Sequence, residues 1–596
     1  MIIDVKKYLI VGLQKDLDLF FAQAQQEGFI EFIPGAKKPQ KAFSARAETL
    51  LSAMRILKKY PPMSAVAAQE SMLDEMAENI VSMQSSIDQL SSDARRLEVE
   101  IARVAPFGDF SQEDIHYIEK NGRRVIQFFC RAISKAEDRP LPEHVLYINT
   151  EYDLDYFIGI SAKKERYPDM MEMYIEVPLS RLRQELVCVR EKLKILEEDV
   201  KNCVPYLSAL HKRWLDELDA HHLDCARKGV SLPLDHALFS IEAWIPKTKL
   251  VDFHAMTEKM AVYAEPIAID PGQATPTYME NHGCGHMGED LVNIYDVPST
   301  TDKDPSSWVF WSFALFFSMI IADAGYGFIF LAIALLLKRK FPNVKGNAKR
   351  MLDLGVWLSS GCIVWGVLIG SYFAMPLSKE SFLSKISLLQ FVTEKRALYE
   401  GLNTVSKNTI LLEFSLLVGV VHVSLSLLRY ARRNLAGIGW VVFLIGAYLY
   451  FPTALKATTF VQFLGGINTD VAATYGLQMI YIGMGLAVSL ALLQKRFQGI
   501  SEITQVVQVF ADVLSYLRLY ALALASTIMA ETFNDLGKEM GFAVGALVIF
   551  LGHSVNILIA TMGGVIHGLR LNFVEWYRYS FYGGGLLFRP LKKINF

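Results

Sequence analysis

The run WVFWSFALFFSMIIADAGYGFIFLAIALLL, residues 308–337, marks where the chain changes character. It carries one charged side chain, Asp323, in a stretch longer than the ~20 apolar residues that cross ~30 Å of hydrocarbon. C-terminal to it, the segments 351–374, 409–429, 437–456, 473–494, 505–533 and 541–573 are each long and apolar enough to span. N-terminal to it, strand-like and helix-like runs alternate with charged stretches. A composition of 52% apolar and 20% charged residues over 596 positions fits this division into a soluble part and a membrane part. The expected fold class is an α+β cytoplasmic part of small α/β lobes joined by an antiparallel coiled-coil hairpin, followed by an all-α membrane domain. A net charge of -2 favours no nucleic acid partner, and six scattered cysteines suit a reducing compartment. The start, Met1-Ile-Ile-Asp-Val-Lys-Lys7, lacks the apolar run of a signal peptide, so both the N-terminal part and the N-terminus are expected in the cytoplasm.

Basic clusters orient the spans. Lys338-Arg-Lys340 with Lys345, Lys349 and Arg350, then Arg429, Arg432 and Arg433, then Lys495 and Arg496, then Arg578, Arg589, Lys592 and Lys593 are all expected on the cytoplasmic side. This alternation satisfies the last six spans. It requires 308–337 to enter and leave on one side, and Asp323-Ala-Gly-Tyr-Gly327 supplies the break between two half-spans. The expectation is eight crossings with both termini cytoplasmic.

In the soluble half, Tyr8–Gly12 reads as a buried strand, 16–26 as an amphipathic helix and Phe29–Ile33 as a second strand. A long helix is expected from near Phe43. In it Leu73, Met76, Ile80, Met83, Ile87, Leu90, Ala94, Leu97 and Ile101 step by threes and fours, the seam of a coiled coil. The seam stops at Pro106-Phe-Gly108 and resumes as Leu182, Leu186, Val189, Leu193, Leu196 and Val200, with Pro205 breaking the second helix. Between them lie strand-like runs at 156–160 and 173–177. The expected domains are 1–40 with 229–305 as a proximal lobe, 41–105 with 178–228 as the hairpin, 106–177 as a distal lobe, and 306–596 as the membrane domain. His282-Gly-Cys284-Gly-His286 places three soft ligands alternately along an extended strand, a metal-like pattern without a fourth ligand nearby, and a Gly-rich loop is the ordinary reading.

Ionisable groups inside spans are costly and mark function. In 505–533, Gln508, Asp512, Ser515 and Arg518 share one broad face; in 541–573, His553, Asn556, Ala560, Gly563, His567 and Arg570 form a continuous stripe of roughly 26 Å. Arginine is a fixed cation that keeps its proton. Opposite a membrane carboxylate it favours the ionised form and bars leakage of other cations. The competing readings are snorkelling of Arg570 to an interface and plain interhelical hydrogen bonding by His553, Asn556 and His567. No carboxylate of these spans is an obvious permanent partner for Arg518, although Asp512 is near in sequence, so its acid is expected on another chain.

Those residues carry a resemblance. Leu514-Ser-Tyr-Leu-Arg-Leu-Tyr-Ala-Leu522, Gly552-His-Ser-Val-Asn556, His567-Gly-Leu-Arg-Leu-Asn-Phe-Val-Glu575 and Phe581-Tyr-Gly-Gly-Gly585 resemble the last two helices and tail of the V/A-type ATPase membrane stator. This is subunit I in bacteria and archaea and subunit a in eukaryotes. Asp323–Gly327, Trp365–Phe373, Pro106–Phe110 and Ile241–Pro246 resemble its other motifs, with Ala243 where a glycine is usual. The resemblance implies that Arg518 faces the ion-binding carboxylate of a ring of small subunits, that Arg570 is the second arginine, and that Asp323, Gly325, Tyr326 and Gly327 form a structural membrane motif. It implies peripheral-stalk subunits on the soluble lobes, a central-stalk adaptor, a lipid membrane, and no cofactor or metal. Ser526 and Ala560 stand where many members have histidine and glutamate, so Glu531, Glu575, Asp512 or His567 are the stand-ins for the half-channel lining, beside Gln508, Ser515, His553 and Asn556. No Gly-x-x-x-x-Gly-Lys-Ser/Thr loop occurs, so ATP chemistry belongs to partners. A modest size favours a prokaryotic plasma membrane. An independent ion-coupled transporter with a cytosolic hairpin is the alternative; it predicts an internal repeat, which the membrane half does not display.

Overall fold

The computed structural model describes residues 1–33, 43–64, 66, 69–133, 141–151, 153–167, 170–235, 237–375, 381–388, 407–431, 433–454, 469–496 and 504–594. The chain divides into two compact units, Met1–Leu9 with Ala243–Lys259 and Ala264–Arg589, and Ile10–Glu242 with Met260–Tyr263 and Pro590–Phe596.

In the second unit the Leu17–Glu27 helix lays Phe20 against Phe239 and Phe21 against Phe32, with Phe20, Phe21 and Phe239 fully buried. It ends at Gly28 in the left-handed conformation that glycine adopts without strain. The expected continuous helix from Phe43 is instead two, Ala45–Leu57 and Glu70–Val104. Pro61-Pro62 lies between them, removing two backbone donors and forbidding helical geometry before each ring. The Glu70–Val104 helix packs antiparallel on Leu179–Asn202: Leu97, Ile101 and Val104 meet Leu179 and Leu182, while Leu73, Ile80 and Ile87 cluster with Leu193, Leu196 and Val200. Pro205 sits in a one-turn 3-10 helix, Val204–Tyr206, after which a separate helix, Leu207–Arg227, begins.

Beyond Phe107 a four-stranded sheet has the order Val145–Glu151, Leu154–Ser161, Val125–Ala132, Met171–Met173. Its two-residue side-chain period sends Phe128 and Tyr156 to one face, with Phe107 and Met173, and Phe129 and Phe157 to the other. The strand expected over 173–177 stops at Met173. Near the N-terminus the strand expected at Phe29–Ile33 is only Glu31–Phe32, whereas the strand around Tyr8 runs Val5–Leu13.

The first unit holds the apolar helices. Among the described residues six are long and apolar enough to cross a membrane: Gly346–Ile369, Ile410–Arg429, Ala436–Ala454, Asp470–Gln494, Gln505–Glu539 and Phe542–Ser580. The 308–337 stretch is two shorter helices, Ser306–Ile321 and Ala324–Lys340, rising roughly 24 and 26 Å. The break is Ala322, in left-handed conformation, followed by Asp323, whose carboxylate caps the second helix by accepting Tyr326 N–H at 3.0 Å. Its other oxygen accepts Ser371 Oγ at 2.8 Å and Ala374 N at 3.3 Å, so the buried acid ties the break to the end of the Gly346–Ile369 helix. The approach is close enough that a Cβ on Gly366 would stand 2.1 Å from Ala324 N. The Ala436–Ala454 and Thr469–Lys495 helices approach as closely, with Gly439 against the Ala487 backbone.

His282–His286 is neither the extended strand of the metal-like pattern nor wholly the Gly-rich loop of the ordinary reading. A helix, Cys284–Tyr295, begins there after Gly283 at φ 57°, so the three side chains do not alternate along a strand. His286 is instead engaged: its Nε2 accepts Arg350 NH1 at 3.0 Å, beside a two-point Arg350–Asp290 pair. The Phe581–Gly585 tail motif folds back on Asp302, which accepts Tyr582 N and Gly583 N at 3.1–3.3 Å. Leu586–Leu587 then adds a parallel strand to Pro276–Met279.

Candidate functional site

The two segments read as single helices are both interrupted. The first consists of Gln505–Leu514 and Leu517–Glu539, with Ser515 and Tyr516 between them. No glycine or proline marks that break, and Ser515 and Tyr516 keep right-handed helical dihedrals through it. The helix also runs to Glu539, past the expected end at 533. The second runs Phe542–Arg570, then a π-helical turn, Leu571–Trp576, then Tyr577–Ser580. A π turn leaves a backbone hydrogen bond unmatched and occurs preferentially at functional sites.

Along these two segments lie two different environments. In one, every polar group is answered. Tyr326 Oη is 2.6 Å from His553 Nδ1, and His553 Nε2 is 3.0 Å from Asn534 Oδ1. Asn556 donates to Tyr326 Oη and to the Ser526 carbonyl, both at 2.9 Å, while Ser526 Oγ donates to Asn556 Oδ1 at 3.2 Å. Asn534 also donates to the Phe373 carbonyl at 2.8 Å. His553, Asn556, Ser526 and Tyr326 are thus joined in one buried network spanning four helices or their ends. Gly325 and Gly327 make room beside it, the first for the Phe373 ring and the second for the Ile363 backbone. Replacing His553 with leucine leaves Tyr326 Oη and Asn534 Oδ1 each short of a partner. The expected cost is about 1–3 kcal/mol, read as a lower apparent Tm of the purified protein. Ser515→Ala, whose hydroxyl only bonds back to Ala511 O at 3.1 Å, should leave that Tm unchanged.

In the other environment charge is left over. Asp512 is buried and fully engaged: Gln508 donates to it at 2.9 Å, Tyr579 at 2.7 Å, and Arg578 lies 3.4 Å away. Its cation is therefore Arg578 and not Arg518. Arg518 stands at the start of the Leu517–Glu539 helix, half-buried, and its NH1 is buried with no hydrogen-bond partner among the described residues. Arg570 is exposed and close enough to repel it; Glu575 is close enough to attract it. Glu575 is 2% exposed in the π turn, with Oε2 unpartnered among the described residues, and His567 Nδ1 is unpartnered likewise. Two guanidinium groups and one buried acid form an arrangement short of negative charge. Glu531 lies apart from this cluster. It lines a cleft of about 370 Å³ with Asn534, Asp535, Thr527, Tyr520 and Ser371.

Several engaged residues carry no motif that singles them out in sequence. Trp308 donates to His422 Nε2 at 3.0 Å, His422 Nδ1 meets Tyr516 Oη at 2.5 Å, and Ser426 donates to the Trp576 carbonyl at 2.5 Å. A lone histidine in the apolar run 409–429 was the available signal.

The fold and the charged helix breaks define a multi-span membrane protein with a large folded part outside its apolar helices. No family model matches the chain. Over its whole length it is 36% identical to V-type ATP synthase subunit I of Chlamydia muridarum, covering 99% of that protein. It is 25% identical to V-type ATP synthase subunit I of Borreliella burgdorferi, with both chains covered in full. It is 22% identical to A-type ATP synthase subunit I of Methanocaldococcus jannaschii over 98% of this chain and 90% of the relative. A solved structure, the cytoplasmic N-terminal domain of subunit I, homolog of subunit a, of V-ATPase, aligns with 44% of this chain and all of that one, at 13% identity and TM-score 0.23. The chain belongs to the V-type ATP synthase subunit I family, the membrane subunit of a rotary ATPase.

Proposed function

We propose that this subunit is the stator past which ions move to and from a ring of small membrane subunits. Arg518 faces the ring carboxylate. The observation that carries this reading is the buried NH1 of Arg518, unpartnered among the described residues and beside a second arginine. A guanidinium so placed is stabilised when an acid from another chain is brought to it, and it forces that acid to give up its ion. Glu575, His567 and Arg570 line the approach from the cytoplasm. The cleft with Glu531 lies at the end of the Gly346–Ile369 helix opposite the basic 338–350 loop, which makes it the half-channel on the outer side. The ion is a proton or sodium.

In the same reading the helices Ser306–Ile321 and Ala324–Lys340 each cross the membrane, giving eight crossings with both termini in the cytoplasm of a prokaryotic cell. The paired helices Glu70–Val104 and Leu179–Asn202 act as a coiled coil that carries a distal lobe at 106–177 and a proximal one at 1–40 with 229–305. These lobes hold the peripheral stalks against torque, and a central-stalk adaptor passes beside them. Purification in mild detergent tests the assignment. A stator is recovered with nucleotide-binding and ring subunits in fixed ratio; recovery of a transport-competent chain alone would instead establish an independent transporter.

A further inference from the structure

The Lys407–Arg429 helix contributes none of the ionisable residues of the candidate site, yet it grips both segments that do. His422 and Ser426 lie one turn apart on it, on one face. His422 is buried beside two indole rings, its centroid 5.5 Å from that of Trp308 and 6.0 Å from that of Trp576, which lie 5.9 Å from each other, with the edge of Phe316 at 5.0 Å. Trp308 Nε1–H can only donate, so His422 Nε2 must accept; the imidazole is neutral and its Nδ1–H donates to Tyr516 Oη. One tautomer and one ring orientation are thereby fixed. Tyr516 is fully buried at the helix break, its ring flat on Gly419, where a Cβ would come 2.8 Å from Tyr516 Cγ.

Tyr516 precedes Arg518 by two residues. Two residues turn a helix through roughly 200°, so a phenol anchored inward aims Arg518 to the opposite side. Ser426 does the corresponding work on the other segment. Its hydroxyl donates to the carbonyl of Trp576, the residue after Glu575 in the π turn that follows Arg570. The break at 515–516 and the π turn at 571–576 are the two places where the arginine-bearing helices lack a regular backbone ladder. Each is bonded to the same third helix.

We propose that His422 and Ser426 are positioning residues, which hold the Arg518 turn and the Arg570–Glu575 turn at a fixed rotation and separation against a moving partner. The inference rests on the reading of Arg518 given above. It predicts a loss of coupling between ATP hydrolysis and transport, since a displaced guanidinium still permits rotation but no longer meets each acid squarely.

The test uses the assembled complex in vesicles and reads ions moved per ATP hydrolysed. His422→Leu, which removes both hydrogen bonds, should lower that ratio about tenfold or more while hydrolysis continues. His422→Gln, whose amide can accept from Trp308 and donate to Tyr516, should recover to within about threefold of native. A merely space-filling role would instead leave glutamine and leucine equivalent, and that result overturns the proposal. Should His422→Leu fail to assemble, Tyr516→Phe and Ser426→Ala decide, because each deletes a single oxygen and keeps the packing. Native coupling in both overturns the proposal. Arg518→Ala run alongside separates the two claims. Normal transport there removes the arginine reading itself, whereas a dead Arg518→Ala with fully coupled Tyr516→Phe and Ser426→Ala removes this inference alone.

Discussion

Gly366→Ala is expected to cut recovery of the folded chain sharply, although it adds one methyl group. The new Cβ would lie 2.1 Å from Ala324 N and 2.7 Å from Ala324 Cα, and both obstacles are backbone. Side chains can swing aside; the capped start of a helix cannot, because Asp323 fixes it through Tyr326, Ser371 and Ala374. Overpacking of a core typically costs about 1–3 kcal/mol, and a rigid backbone neighbour puts this site at or above the upper end. Recovery of folded material should fall by roughly several-fold, since costs of about 1–2 kcal/mol already change abundance to that extent. Gly355→Ala in the same helix is the matched control. Nothing lies within 4 Å of its Cβ position, and alanine should be neutral or favourable there by about 0.5–1 kcal/mol through helix propensity. Size-exclusion recovery of the two variants measures the difference.

The second large effect is at Arg518. Alanine there removes a cation whose buried NH1 has no partner among the described residues, and Arg570 still attracts Glu575, so the chain should still fold. What is lost is the charge that meets the ring carboxylate. Without it an acid entering this region keeps its ion, and transport should fall by roughly a hundredfold or more, as for other preorganised charges at a reacting group. Arg518→Lys should rescue only a small part. An ammonium is a point charge that yields its proton on burial, whereas a guanidinium keeps its own and offers several donors in a plane. Asp512→Asn serves as a contrast: its partners are Gln508, Tyr579 and Arg578, so it should affect stability more than coupling.

How far the sequence discloses this structure depends on the range of the interaction involved. The break at Asp323 is legible because a lone acid in an apolar run must be capped or bonded. Pro205 announces the end of its helix in the same local way, as does Pro61-Pro62, where the strong seam from Leu73 onward masks the interruption before it. The break at Ser515–Tyr516 carries no such mark, since Tyr516 is anchored by His422, 94 residues away. His553 and Asn556 stand out as intramembrane polar residues, but their partner Tyr326 is 227 and 230 positions distant and only tertiary packing brings it to them. His282–His286 shows the reverse error. Its spacing looks strand-like, yet Gly283 starts a helix and Arg350 claims His286. Charge at Arg518 and Arg570 is legible from sequence; that Arg518 NH1 meets no partner among the described residues depends on tertiary packing and is not.

The most direct test is ATP-driven acidification of vesicles containing the complex with the native chain or with Arg518→Ala, equal assembly being verified and sodium varied. The stator account predicts ion uptake that requires Arg518, read as acidification unaffected by sodium or as sodium uptake in its place. Undiminished ion uptake by an assembled Arg518→Ala complex would contradict it.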